Sequence, residues 1–354
     1  MIRTLQSLRL IFILLVLFSH LSWGDVPPLR FGGECGVSFF FMLSGFVLSI
    51  GYGAKIEEGR FSLKTFYLKQ LAKCYPLHLL TLLAFALLDL HNGYGVQAGK
   101  LLANALLLQS WIPDNGYNFS FNGVAWFLSD IMFFYLLFPW LYSAIRKMPG
   151  RALAATSAAV ALLYVWLVVA VPQGLVNTVV YVFPPVRVVD FAIGILLYRL
   201  YASRHTSELR LWISHGQHRY RYALAEMLPV GLMVAVYLLY GELPKRIHAT
   251  LLFMPILPAV IYAFAVLDAS GGRLTRLLQN SWLTRGGGLS LEVYMTHILV
   301  IRGVTGVLVG AGIDLGYAAT ALACVAMTLV TALATKKYFV DKLYLALKKH
   351  VIKP

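Results

Sequence analysis

The chain has 354 residues, 59% of them hydrophobic and 13% charged, with a mean hydropathy of +0.73. A water-soluble domain carries roughly 45–50% apolar and about 25% charged residues, so this composition excludes a soluble globule. It equally excludes disorder, collagen and a disulfide scaffold, and the formal net charge of +15 is read as loop charge on a polytopic membrane protein rather than as a nucleic-acid surface.

Apolar runs fit to cross a hydrocarbon core of about 30 Å occur ten times, at 8–23, 36–53, 75–91, 125–145, 152–171, 186–198, 222–241, 248–267, 289–311 and 316–334. The expected fold is an all-α membrane helix bundle of about ten spans. The first run follows Arg3 in the manner of a signal peptide. It is interrupted by Arg9 and lacks a small-residue cleavage site, so it is retained as a span. Segment 60–74 places Leu and Phe at helical spacing between Lys64, Lys69 and Lys73, which reads as an amphipathic helix along the inner surface leading into the third span. The run 101–111 is too short to cross and is expected to be re-entrant or interfacial. The sixth run is short unless it begins near Val179, in which case Pro184 and Pro185 kink it or mark its start.

Counting Lys and Arg by loop sets the orientation. With the N-terminus in the cytoplasm, inner segments hold 23, outer segments hold Arg30, Lys100, Lys245 and Arg246, and Arg9, Arg187 and Arg302 lie within spans. That asymmetry places both termini in the cytoplasm. Residues 1–335 form one transmembrane domain and 336–354 a basic cytoplasmic tail. Cys35, Cys74 and Cys324 are scattered, so neither a disulfide nor a metal centre is expected.

Ionisable side chains inside a bilayer are costly and are functional candidates by default. Arg9 and His20 are eleven residues apart, close to three helical turns, so they share one face about 16 Å apart along the axis. A cation at the inner end and an imidazole, the usual general base, at the outer end would share one stripe. Ser44 and Gly45 on the second span are small enough to admit a thin ligand arm or a neighbouring backbone. Ser129 and Asp130 open the fourth span at the depth of His20, where a carboxylate would orient the imidazole. Arg187 and Asp190 share a face of the sixth span and are able to neutralise each other. The ninth span carries Glu292, Tyr294, His297 and Arg302. His20 also forms His-x4-Asp with Asp25, a spacing shared with soluble glycerolipid acyltransferases; two residues match too easily to carry weight.

Together these residues resemble the acyltransferase-3 family of integral-membrane acyltransferases, over about residues 4–335. Arg9-x10-His20 matches the family's Arg-x10-His. Residues 39–46 (FFFMLSGF) are similar to its FFxLSGF, and 67–76 (YLKQLAKCYP) to its YxRRxxRxYP. Residues 126–139 resemble WSLxxExxFYLLxP. The runs 187–194 and 289–297 resemble R-x-x-E-F-x-x-G and S-x-x-x-Y-x-x-H. Two departures stand out. Lys69, Gln70 and Lys73 occupy the arginine motif, keeping charge without the bidentate fork. Ile131 aligns with the family glutamate, with Asp130 one residue early, a rotation of about 100° on a helix.

The resemblance implies an acyltransferase of the class that transfers groups other than amino-acyl groups. It would move an acyl group, most often acetyl, from cytoplasmic acyl-CoA to a sugar hydroxyl of a surface or lipid-linked polysaccharide, at a bacterial inner membrane. Acyl-CoA is then a substrate, with no permanently bound cofactor; the other partners are a glycan acceptor and membrane lipids, with no nucleic acid. Arg9, Ser44, Gly45, Lys69 and Lys73 are expected to hold the donor, and His20, supported by Asp130, to act as base or through a covalent acyl-histidine. Trp126, Ser129, Arg187, Asp190, Tyr294 and His297 would line the acceptor side. Ten spans with buried charge also fit a transporter or flippase. The chain shows no two-half symmetry, and the Arg9/His20 stripe favours chemistry over transport. A lipid-binding assembly subunit would leave His20 without a role.

Overall fold

The computed structural model describes residues 2–21, 31–214 and 219–350. Among them all regular structure is helical. In chain order the helices are α1 (Arg3–Ser19), α2 (Phe31–Glu57), α3 (Leu63–His91), α4 (Ala98–Ala105), α5 (Asn115–Asn118), α6 (Trp126–Lys147), α7 (Gly150–Ala170) and α8 (Pro184–Tyr201). They continue with α9 (Arg204–Ser214), α10 (Arg219–Tyr240), α11 (Ile256–Leu267), α12 (Arg273–Leu278), α13 (Ser281–Gly287), α14 (Ser290–Gly310), α15 (Gly316–Thr335) and α16 (Asp341–His350).

Every expected apolar run lies on a helix. Eight helical segments are long and apolar enough to cross a membrane, or nine when the bent pair Gln173–Tyr181 and Pro184–Tyr201 is taken as one span. The bend is 49°, and Pro184 and Pro185 open α8, where a missing N–H costs nothing and the fixed φ suits the first helical turn. The first expected run, 8–23, corresponds to the 17-residue α1, which starts earlier; residues 22 and 23 lie outside the described residues.

Segment 60–74 is not a separate interfacial helix. Ser62 caps the chain by accepting from the Thr65 N–H, and α3 then runs unbroken for 29 residues through Pro76. At about 1.5 Å per residue it is roughly 43 Å long, so its Lys-bearing first turns extend beyond a core of about 30 Å. Residues 101–111 fold as expected for a non-crossing segment: α4 ends at Ala105, a short 3-10 turn covers Gln109–Trp111, and α5 follows. Asn104, Gln109, Ser110, Asn118 and Asn122 are buried there. This stretch is pinned to α14 from two directions, Asn122 Nδ2 donating to the Met295 carbonyl (3.0 Å) and Tyr294 OH donating to the Val124 carbonyl (3.0 Å).

The core is built on α1, α2, α6 and α8. Gly45 and Gly194 bring α2 and α8 into backbone contact. A Cβ on Gly194 would stand 1.9 Å from the Met42 carbonyl oxygen, and one on Gly45 would stand 2.1 Å from that of Phe191. Small residues allow this approach, and in lipid close van der Waals packing is what holds helices together. Aromatic rings fill the space between the helices: Phe41 stacks on Phe127 (centroids 4.6 Å), Phe127 tilts against Tyr294 (5.0 Å), and Phe134 meets both Phe41 (4.9 Å) and Phe191 (5.5 Å).

The N-terminal end of α1 is clamped from the other side. Thr4 N–H donates to Asp268 (2.9 Å), Thr4 Oγ1 to the Phe264 carbonyl (2.7 Å), and Ser7 to the Leu278 carbonyl. Gly287 lets α13 touch the α1 backbone at Gln6. The tail is not loose. A π-helical turn (Lys336–Val340) continues α15 into α16, and Lys336 Nζ lies 3.3 Å from Glu292 Oε1 and 3.6 Å from Asp341 Oδ1.

Candidate active site

α1, α2, α3, α6 and α14 enclose a cavity of about 550 Å³. Its polar lining is Gln6, Arg9, Ser44, Gln70, Lys73, Cys74, Tyr135, Ser290 and Tyr294, with Tyr201 from α8; the remaining walls are apolar, with Ile13, Leu43, Phe127, Leu128 and Ile131 prominent. Arg9 is held at this surface by donation to Ser290 Oγ (2.7 Å) and Gln6 Oε1 (3.2 Å). Ser44 satisfies its own hydroxyl on the Phe40 carbonyl (2.7 Å), leaving oxygen lone pairs toward the cavity. Two cations at one end of an apolar cleft suit a ligand that is anionic at one end and lipophilic at the other.

Of the five residues expected to hold a donor, Arg9, Ser44 and Lys73 line this cavity, whereas Lys69 and Gly45 do not. Gly45 is occupied by the α8 backbone, so its lack of a side chain serves helix packing and not a ligand arm. Gln6, Gln70, Cys74, Tyr135 and Ser290 were given no site role from the sequence. Tyr135 was recoverable, because it follows Leu128 and Ile131 at seven and four residues on one helical face.

Ile131 faces the cavity and Asp130 does not. Asp130 is fully buried beside Ser110 and within electrostatic reach of Arg187 and Asp190. The expected support of His20 by Asp130 is therefore corrected: one residue of register turns the carboxylate about 100° away, into a different part of the bundle. Arg187 and Asp190 form a buried ion pair (3.0 Å), and Arg187 also donates to Ser38 Oγ (2.9 Å) and sits over the rings of Phe41 (5.1 Å) and Tyr181 (5.8 Å). Ser129 is buried between Ser110, which donates to it (2.6 Å), and the Leu107 carbonyl, to which it donates. Leu107 holds a left-handed backbone, φ 56°, uncommon for leucine. Trp126 is packed edge-on to Phe41 and against Tyr181. None of Trp126, Ser129, Arg187 and Asp190 lines the cavity; they knit α2, α6 and α8 together.

His20 caps the C-terminal end of α1. Its ring is met by that of His297 on α14, with His20 Nδ1 and His297 Nε2 3.4 Å apart and ring centroids 4.9 Å apart at 64°. Because α1 and α14 also meet at Arg9 and Ser290, they run side by side in the same direction, tied at two levels. Neither histidine lines the cavity; Tyr294 does, one turn below His297, with ring centroids 6.0 Å apart. Tyr294, placed among the acceptor residues from sequence, thus separates the cavity from the histidines. Asp25 lies outside the described residues.

Comparisons with known proteins converge with this geometry. The family model for the acyltransferase domain, acyltransferase-3, matches residues 2–336. The chain is also 31% identical over 287 residues to the acyltransferase MdmB of Streptomyces mycarofaciens, covering 76% of this chain and 68% of that protein. No solved structure matches it. The chain belongs to the acyltransferase-3 family, and it is an acyltransferase built as a multi-pass membrane helix bundle.

Proposed function

We propose that this enzyme carries an acyl group, acetyl in the first instance, from acyl-CoA on the cytoplasmic side of a bacterial inner membrane to a sugar hydroxyl of a surface or lipid-linked polysaccharide. The observation that carries this reading is the cavity: Arg9 and Lys73 stand on an otherwise apolar cleft, and Arg9 shares its helix with His20. Both cations suit the phosphates of coenzyme A, and the apolar walls suit the pantetheine arm and thioester. The 23:4 division of loop cations supports an inner-face donor and cytoplasmic termini.

The chemistry assigned to His20 starts from its tautomer. His20 Nδ1 lies 2.8 Å from the Val16 carbonyl, which only accepts, so the ring proton is on Nδ1 and Nε2 carries the free lone pair. Nε2 takes the proton of the acceptor hydroxyl as its oxygen attacks the thioester carbonyl. The C–S bond then breaks, and the departing coenzyme A thiolate takes the proton back from the imidazolium. In this reading the thioester reaches His20 past the Tyr294 ring.

The test is made with the purified full-length protein in detergent. Acetyl-CoA with octyl β-glucoside as the stand-in acceptor should release free thiol and yield an acetylated glycoside by mass spectrometry. An absence of both products, with acetyl-CoA binding also absent by calorimetry, would remove the donor assignment.

A further inference from the structure

We infer that His297 is a positioning residue that holds the His20 ring in its reactive orientation, an inference that rests on the reading of His20 as the base. His297 is fully buried, and its Nδ1 lies 2.7 Å from the Tyr294 carbonyl and 3.1 Å from that of Val293. Carbonyl oxygens donate nothing, so the His297 proton is on Nδ1 and its Nε2 is a bare acceptor. That acceptor faces the one N–H of His20, at 3.4 Å.

The geometry gives each contact to His20 a different task. Val16 and Ser19 belong to the same helix as His20, so their contacts at 2.8 and 3.3 Å travel with it and say nothing about where the ring stands relative to the rest of the bundle. Among the described residues, His297 is the side chain from another helix within hydrogen-bond reach of His20. It is itself anchored, because α14 is fastened at this level by the Asn122 and Tyr294 bonds to the segment preceding α6. The ring at the end of α1 is thereby referred to a fixed neighbour. When His20 takes a proton on Nε2, the positive charge is shared with Nδ1–H, which has both the Val16 carbonyl and the His297 lone pair within reach. A separation of 3.4 Å is long, and catalytic hydrogen bonds commonly tighten once substrate is bound. The arrangement does for an imidazole what a carboxylate does in a Ser-His-Asp triad, with a neutral acceptor in place of the anion.

Three variants separate positioning from packing. His297→Leu keeps apolar bulk and deletes the acceptor. His297→Gln places an amide oxygen near the Nε2 position, and His297→Asn reaches only as far as Nδ1. All are assayed in full-length protein for thiol release from acetyl-CoA with octyl β-glucoside, alongside His20→Ala. His297→Leu and His297→Asn should lower kcat about 10–100-fold, the span of one hydrogen bond to a charged group, with KM for acetyl-CoA within about twofold. His297→Gln should restore kcat to within about threefold of the parent. Undiminished kcat in the Leu or Asn variant overturns the inference, as does equal loss in Gln and Asn or a change confined to KM. If the Leu variant aggregates, the Gln and Asn pair carries the same contrast. Normal turnover by folded His20→Ala would instead remove the reading of His20 on which this rests, whereas inactive His20→Ala with fully active His297→Asn would remove the positioning role alone.

Discussion

Arg9 donates from Nη2 to Ser290 Oγ across 2.7 Å, joining residues 281 positions apart at the cationic end of the cavity. The bond fixes the guanidinium without cancelling its charge, since a serine hydroxyl is neutral. Arg9→Gln is therefore expected to raise the KM for acetyl-CoA by about 10-fold or more, the scale of one lost charge-assisted contact, while Ser290→Ala should have a smaller effect in the same direction. Steady-state kinetics on the purified variants would decide. An unchanged KM in Arg9→Gln would show that the cation serves the bundle and not the donor.

Lys69 and Lys73 differ although they lie one turn apart, because only Lys73 lines the cavity. Neutralising Lys73 should weaken acetyl-CoA binding by about 5–10-fold, and neutralising Lys69 by less than about twofold. Equal effects would point to a general surface potential acting on an anionic ligand, and equal silence to anchoring on acidic lipid.

His20→Ala should reduce turnover by at least about 100-fold, the lower end of what a positioned base contributes, with acetyl-CoA binding preserved by calorimetry. Monodispersity on gel filtration establishes that the loss is chemical. Asp130→Asn, by contrast, should leave the ratio of kcat to KM within about threefold among folded molecules, since its carboxylate is not among the groups that line the cavity and is buried beside Ser110.

Gly194→Ala is expected to destabilise the protein by about 1–3 kcal/mol, because its methyl group would meet the Met42 carbonyl at 1.9 Å, which is backbone and yields only by separating α2 from α8. Thermal unfolding in detergent would report it as a lowered midpoint. Gly231, whose added Cβ meets nothing within 4 Å, is the control and should tolerate alanine.

Breaking the buried Arg187–Asp190 pair from one side leaves a charge without its partner. Asp190→Asn should cost about 3–5 kcal/mol, read in the same unfolding assay. A midpoint unchanged within error would show that Asp130, also within reach of Arg187, takes over the compensation.

Helix positions were legible in the sequence because a bilayer demands long uninterrupted apolar runs, and that demand is written in one dimension. Arg9 was legible for the complementary reason, as a charge where charge is costly. The histidine pair was not: His20 and His297 stand 277 residues apart, and nothing along either helix announces which neighbour each will face. Asp130 shows the limit of motif alignment, where the right residue type one position early points into another part of the bundle. Gly45 shows the limit of composition, since a small residue serves a ligand arm and a crossing backbone equally well. Only the matching glycine on α8, Gly194, settles which.

The aromatic rings packed around Tyr294 also bear on what the membrane is for. A protein that opens a water-accessible cleft from one face and presents titratable imidazoles toward the other has the makings of a proton leak. Each proton passing down the potential would dissipate about 2.3 kcal/mol per 100 mV. Phe41 stacked on Phe127, with Tyr294 tilted against Phe127 and its hydroxyl donated to the Val124 carbonyl, puts packed aromatic surface at the Tyr294 wall of the cavity. In the proposed reaction these rings would serve as electrical insulation, letting an acyl group pass where ions would not.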